Sequence, residues 1–148
     1  MTIDQLKEYL KKDDIVCAVY NNQTLLTSNL KGIRPWIKWL KECPELLENA
    51  IAVDKVIGKA AAMLMVVAKV KSVYTPIISE QAQEYLKTQS IQFAYDETVP
   101  FISNVEKNGL CPMERTIVDT SDAYEGYQLL LEKIQQLMET KKQKQANQ

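Results

Sequence analysis

Residues 50–78, AIAVDKVIGKAAAMLMVVAKVKSVYTPII, decide the class of fold. Ala50 to Ile57 is rich in β-branched residues and reads as a strand or a tight extended segment. Gly58 then introduces a strongly apolar helix from Lys59 to about Ala68, whose consecutive alanines favour helix and permit close packing. Val70 to Ile78 follows as a buried strand. Strand, helix and strand in that order require a crossover connection and parallel pairing.

The same alternation continues towards the C-terminus. Ser79 caps a helix through about Thr88, and Ile91 to Tyr95 is the next strand. Pro100 to Gly109 reads as a loop, and Cys111 begins another helix. A final helix starts near Ser121 and Asp122, with Leu130, Leu131, Ile134, Leu137 and Met138 as its apolar stripe. Towards the N-terminus, Thr2-Ile3-Asp4-Gln5 is a capping box, and the helix it opens ends near Lys12. Ile15 to Tyr20 and Gln23 to Thr27 form a hairpin around Asn21-Asn22. Gly32 to Cys43 is a helix with Ile33, Trp36, Ile37 and Leu40 on one face. The expected fold is therefore α/β: a three-layer α/β/α domain over residues 1–140, with a mixed sheet whose antiparallel edge is the hairpin. The polar residues 141–148 lack periodicity and are expected to be a disordered tail.

Composition excludes more than it selects. The 148 residues hold 46% apolar and 25% charged side chains, an ordinary globular balance. A net charge of -1 gives no global attraction to nucleic acid or anionic lipid. Cys17, Cys43 and Cys111 are odd in number and widely spaced, so no disulfide framework is indicated and a cytoplasmic setting fits. Neither a signal peptide nor a bilayer-length apolar stretch is visible, so no membrane partner is expected. The chain contains no histidine. That removes serine triads, cysteine–histidine dyads and His-containing zinc sites together. Lysine, carboxylate and cysteine chemistry remain.

Four motifs were weighed against plainer readings. Gly58-Lys59 resembles the end of a phosphate loop, but Val53 stands at the first glycine position and Ala60 replaces the Ser/Thr. A glycine and a lysine at a helix start still present amides and a cation to an anion; otherwise Gly58 only turns the chain and Lys59 is solvated. Cys43-Pro44-Glu45 matches half of a zinc-deaminase signature, and its P-C-x-x-C half is absent. In Cys111-Pro112-Met113-Glu114 the proline suits the first helical position and places Cys111 at the N-cap. A thiol there suits nucleophilic chemistry with Glu114 moving a proton, whereas a small buried thiol and a cap residue are the plainer roles. Asp96 and Glu97 are adjacent on a strand and point to opposite faces, as separate surface groups.

Three segments taken together resemble a known family. They are Asp54-Lys55-Val56-Ile57-Gly58-Lys59-Ala60-Ala61-Ala62, Tyr95-Asp96-Glu97-Thr98-Val99-Pro100 and Cys111-Pro112-Met113-Glu114. In this order they are similar to DUF1893, a prokaryotic branch of the cytidine-deaminase-like superfamily, over roughly residues 12 to 120. The resemblance implies a three-layer deaminase-like fold without deaminase chemistry. Gly58-Lys59-Ala60 stands where the metal-binding His/Cys-x-Glu would begin, and the helix at Ser79 contains no cysteine. The family brings no established activity.

The expected function is a zinc-free domain that binds a small ligand such as a nucleoside, base or nucleotide. Lys59 would hold an anionic or carbonyl group beside Gly58, and Asp54 would orient it. Cys111 and Glu114 would join if their helix reaches the same pocket. A metal-independent enzyme with Cys111 as nucleophile and a non-catalytic interaction module are the alternatives. No metal or cofactor is expected, and nucleic acid is not indicated. Trp36 and Trp39, three residues apart on one helix, serve either a core or a homo-oligomer interface.

Overall fold

The computed structural model describes residues 1–103 and 109–146. Among these, six α-helices accompany a six-stranded mixed sheet. In chain order they are α1 (Ile3–Lys7), β1 (Cys17–Asn21), β2 (Thr24–Ser28), α2 (Arg34–Glu42), β3 (Ile51–Asp54), β4 (Val56–Ile57), α3 (Lys59–Ala68), β5 (Ser72–Ser79), α4 (Glu80–Lys87), β6 (Gln92–Val99), α5 (Pro112–Thr116) and α6 (Ala123–Ala146).

The N-terminal half is antiparallel and the C-terminal half parallel. β1 pairs antiparallel with β2 and with β3. β3, β4 and β6 all run parallel to β5. The hairpin turn falls one residue later than expected. Asn22 and Gln23, at φ 48 and 64, make the turn, so Gln23 belongs to it and not to the strand. Two successive positive φ values match the twist of a tight hairpin.

Pro76 divides the parallel ladders. Val53 pairs with Tyr74 and Val56 with Ile77; Thr75 pairs with Tyr95 and Ile77 with Glu97. Proline has no N–H to donate, so both ladders lapse beside it. The Thr75 hydroxyl fills part of the gap, accepting from the Ile77 amide at 3.3 Å and donating to its carbonyl at 2.9 Å. The extended run expected from Ala50 to Ile57 is thereby split into β3 and β4, with Asp54 and Lys55 at the break.

Alternation along the strands feeds two apolar clusters. Cys17, Val19, Ala52 and Val73 belong to the larger one, with Trp36, α3 and Leu130. Ala18 and Val53 belong to the smaller one, with Leu6 of α1. Helix α3 is buried almost all round, as its composition requires. Trp36 and Trp39 meet edge to face at 5.7 Å and are 0% and 5% exposed. They are core residues, which removes them as the basis of a self-association surface.

The ends of the chain depart from expectation. Asp122 caps α6 by accepting from the Glu125 amide at 2.9 Å. The apolar stripe is only half used: Leu130 is buried, but Leu137 and Met138 are 44% and 51% exposed. Residues 141–146, expected to be a disordered tail, continue α6 to Ala146. Lys, Gln and Ala are good helix formers, and extending a nucleated helix costs little. Part of the expected 100–109 loop, residues 104–108, and the last two residues of the tail lie outside the described residues.

Helix α6 crosses α3 at Gly126, where a Cβ would stand 2.6 Å from the Met63 sulfur. We predict that Gly126→Ala lowers stability by about 1–3 kcal/mol through overpacking. Urea unfolding should show this as an earlier midpoint, and shortening Met63 to alanine in the same chain should make the second effect smaller than in the parent.

Candidate functional site

A cavity of about 340 Å³ lies where β3 breaks, α3 begins and α5 approaches. Its walls are mostly apolar, with Ile33, Val56, Ala61, Ile102 and Met113 among them. Asp54, Gly58, Cys111 and Glu114 also line it, so the structure brings together four of the five expected site residues.

Lys59 is the exception. Its side chain leaves the first turn of α3 on the other side, where Nζ donates to the Val118 carbonyl at 3.1 Å. It lines a separate surface hollow with Glu84 and Ser121. It holds neither Asp54 nor anything inside the cavity, contrary to expectation.

Glu114 occupies the place expected for a bound anion. Helix α3 has no side-chain cap from its own N-cap, Gly58. The orphan amides of its first turn are met instead from 54 residues away: the Ala60 amide donates to both Glu114 oxygens, at 3.2 and 3.3 Å. The Lys59 amide adds a further hydrogen bond. This satisfies donors that every helix start leaves open and sets a carboxylate at the positive end of the helix. Glu114 is 5% exposed. Burial raises its pKa, while the two amides and the nearby Lys59 charge pull it down.

The same contact explains Gly58. A Cβ there would stand 2.1 Å from Glu114 Oε1 and 2.8 Å from Ile102 Cγ1. Its φ of -97° is open to any residue, so glycine is required here by contact and not by backbone strain.

Asp54 is 1% exposed and surrounded by donors. Trp36 Nε1 donates to Oδ2 at 3.0 Å. The Val56 and Lys55 amides and the Cys17 thiol complete its partners. Burial raises its pKa to about 7 against these hydrogen bonds, which favour the charged form. The Cys17 thiol is pushed well up, first by burial and then by Asp54. Asp54 thus ties β1, α2 and the β3–β4 break together.

Cys111 is the N-cap residue of α5 and half-buried at the cavity wall. α5 has only five residues, so its dipole is short. Cys43 ends α2, remote from this wall. Among the described residues no group of three or more His, Cys, Asp or Glu is placed to hold a metal ion. Around the cavity, one thiol and two carboxylates already engaged with the fold fall short of a tetrahedral zinc set.

Sequence reasoning missed Trp36, Ile102 and Met113 as neighbours of the site. The pairing of Glu114 with the start of α3 had one local hint, a glycine followed by a helix with no capping side chain.

The fold and cavity define an α/β domain with a mixed sheet and an acid-lined apolar pocket at the start of its central helix. The chain belongs to the DUF1893 family: the family profile "TM1506: Domain of unknown function (DUF1893)" matches residues 5–134. It is similar to the crystal structure of a DUF1893 family protein from Thermotoga maritima. The TM-score is 0.81 and the identity 25%, over 88% of each chain. No curated protein matches it. No helix among the described residues is long and apolar enough to cross a membrane.

Two predictions test the site's geometry. Asp54 has a folded pKa of about 7 against an ordinary 3.8, so it holds its proton more tightly in the folded state. The associated stability is present in full below pH 4 and is lost as pH rises through 7. Between pH 5 and 8, urea unfolding should show a loss of about 1–4 kcal/mol, at 1.36 kcal/mol per pKa unit. Asp54→Asn should flatten that dependence. Gly58→Ala should displace the Glu114 carboxylate and destabilise by roughly 2–4 kcal/mol, as loss of a cap and overpacking combine. Gly58→Ala in a Glu114→Ala background should cost much less.

Proposed function

We propose that this chain is a deaminase-like domain without zinc that binds a small organic ligand in the cavity at the start of α3. The three-layer α/β/α, cytidine-deaminase-like arrangement is part of this reading. It is supported by the sequence resemblance and by the two apolar clusters fed from alternate strand residues. The observation that carries the functional reading is the cavity itself. It has about 340 Å³, apolar walls and a few convergent polar groups, the usual form of a small-molecule site. A nucleoside, base or nucleotide is of suitable size. Three free cysteines accord with a cytoplasmic setting.

The location matters as much as the shape. Ligands of parallel α/β sheets bind beyond the carboxyl ends of the strands. The cavity sits there, beside β4 and the first turn of α3. One second reading has a specific observation behind it: Cys111 and Glu114 line the same cavity, which a cysteine-dependent, metal-independent reaction would need. In that reading Cys111 is the nucleophile and Glu114 exchanges the proton.

Thermal unfolding across a panel of nucleosides, bases, nucleotides and other small metabolites tests the main reading. A ligand at 100 times its dissociation constant should stabilise by about 2.7 kcal/mol. The gain should disappear on Ala61→Phe, which fills the cavity from α3. A stabilising ligand whose effect survives that change binds elsewhere, and the reading then falls. Protein purified without added metal should carry far less than one zinc per chain; stoichiometric zinc would overturn the zinc-free assignment.

A further inference from the structure

Burial orders the polar groups of the cavity along its depth. Asp54 and Glu114, at 1% and 5% exposed, are the most buried charged groups of its lining. Lys55 is half-buried and Lys31 exposed, and both line the outer part. The Lys55 ammonium also holds the Lys12 carbonyl at 3.3 Å. The rest of the lining is mostly apolar, with Ile33, Ala61, Ile102 and Met113. The charged lining is therefore acidic where it is buried, at the floor, and basic where it is exposed, at the mouth.

The two acids have different partners. An ionised carboxylate has about four lone-pair sites. Asp54 accepts from the Trp36 indole at 3.0 Å, and the Cys17 thiol and Val56 amide stand beside it. Among the described residues Glu114 accepts from the Ala60 amide through both oxygens, with the Lys59 amide beside it. Glu114, held against the first turn of α3, keeps lone pairs for a further donor. The floor is equally hostile to an anion. The α3 amides that would receive a phosphate already hold Glu114, and the Lys59 ammonium points to Val118 on another face.

On the reading that this cavity is a ligand site, we propose that it selects a flat, apolar-bodied ligand of defined polarity. An N–H donor at the inner end bonds Glu114, and an anionic group at the outer end meets Lys31 and Lys55. A ligand of the opposite polarity, anion first, would set its charge against Glu114, whose α3 amides are already engaged. Amino-substituted heteroaromatic rings carrying a carboxylate or phosphate on the far side are the matching chemical class.

A matched set of probes separates this inference from the reading beneath it. Toluene supplies the ring alone, aniline the ring and amine, benzoate the ring and acid, and 4-aminobenzoate all three. Binding to the full chain is followed by NMR at the methyls of Ala61, Ile102 and Met113, with each probe at millimolar concentration. 4-Aminobenzoate should bind about tenfold tighter than aniline or benzoate, a step of one ordinary charge-assisted contact. Lys31→Met, at an exposed position, should erase the advantage of the acid and leave that of the amine. Glu114→Gln turns an N–H₂ towards the ligand and should erase the advantage of the amine. If that variant proves unstable, the Lys31 variant and the four probes on the parent protein still decide the matter. Equal affinity for all four probes at these methyls would leave the cavity a ligand site and overturn its polarity. Benzoate matching 4-aminobenzoate, or an unchanged acid preference in Lys31→Met, would do the same. No methyl response to any of the four would overturn the ligand-site reading itself.

Discussion

The bond from the Ala60 amide to the Glu114 carboxylate is the contact on which the rest of the site depends. Helix α3 is buried almost all round, so the open amides of its first turn cannot be left to water. An internal carboxylate meets that need and stands where the helix dipole favours negative charge. Position 58 must then be glycine, because any Cβ would enter the carboxylate. α5, which carries Glu114, must stay against the start of α3. The cavity is the space left between them and the β3–β4 break.

A second buried acid is tolerated by a different device. Pro76 interrupts the ladders on both sides of β5, and opposite that gap the chain leaves regular pairing at Asp54 and Lys55. Backbone amides freed from a ladder can serve a side chain. The Val56 amide, with the Trp36 indole and the Cys17 thiol, surrounds the Asp54 carboxyl. Such donors favour the charged form and burial favours the neutral one, which is why this acid titrates near neutrality and not as an ordinary aspartate. The proton on Asp54 is therefore a property of the sheet break as much as of the cavity.

The fold was legible where periodicity and local chemistry agree. The apolar run after Gly58, the Thr2 capping box and the Ser79 cap all sit where the sequence places them. The hairpin register was off by one because either asparagine of Asn21-Asn22 can open a turn, while the positive φ at Gln23 leaves no composition signal. The end of α6 was missed because a polar run without an apolar stripe looks the same whether it extends a helix or not. Asp54, Gly58, Cys111 and Glu114 stand out in local motifs and line one cavity, whereas the bond from the α3 amides to Glu114 has no motif of its own. Lys59 was placed wrongly for a related reason. A residue at a helix start can project to either side, and only the position of Val118 settles which.

The start of α3 also shows how one location can serve opposed chemistries. A helix N-terminus at the end of a parallel strand is a ready place for an anion, and a lysine beside it strengthens that expectation. Here the chain supplies the anion itself, and the lysine turns to a backbone carbonyl on another face. A bound phosphate would have to displace a buried carboxylate from amides it already satisfies, leaving that carboxylate without donors in an apolar wall. That exchange is unfavourable twice over, once for the lost cap and once for the stranded charge. Keeping Glu114 in place leaves acceptor oxygens, and not open amides, at this point of the cavity lining. The residue that completes the helix thus also puts a buried carboxyl group into the cavity lining.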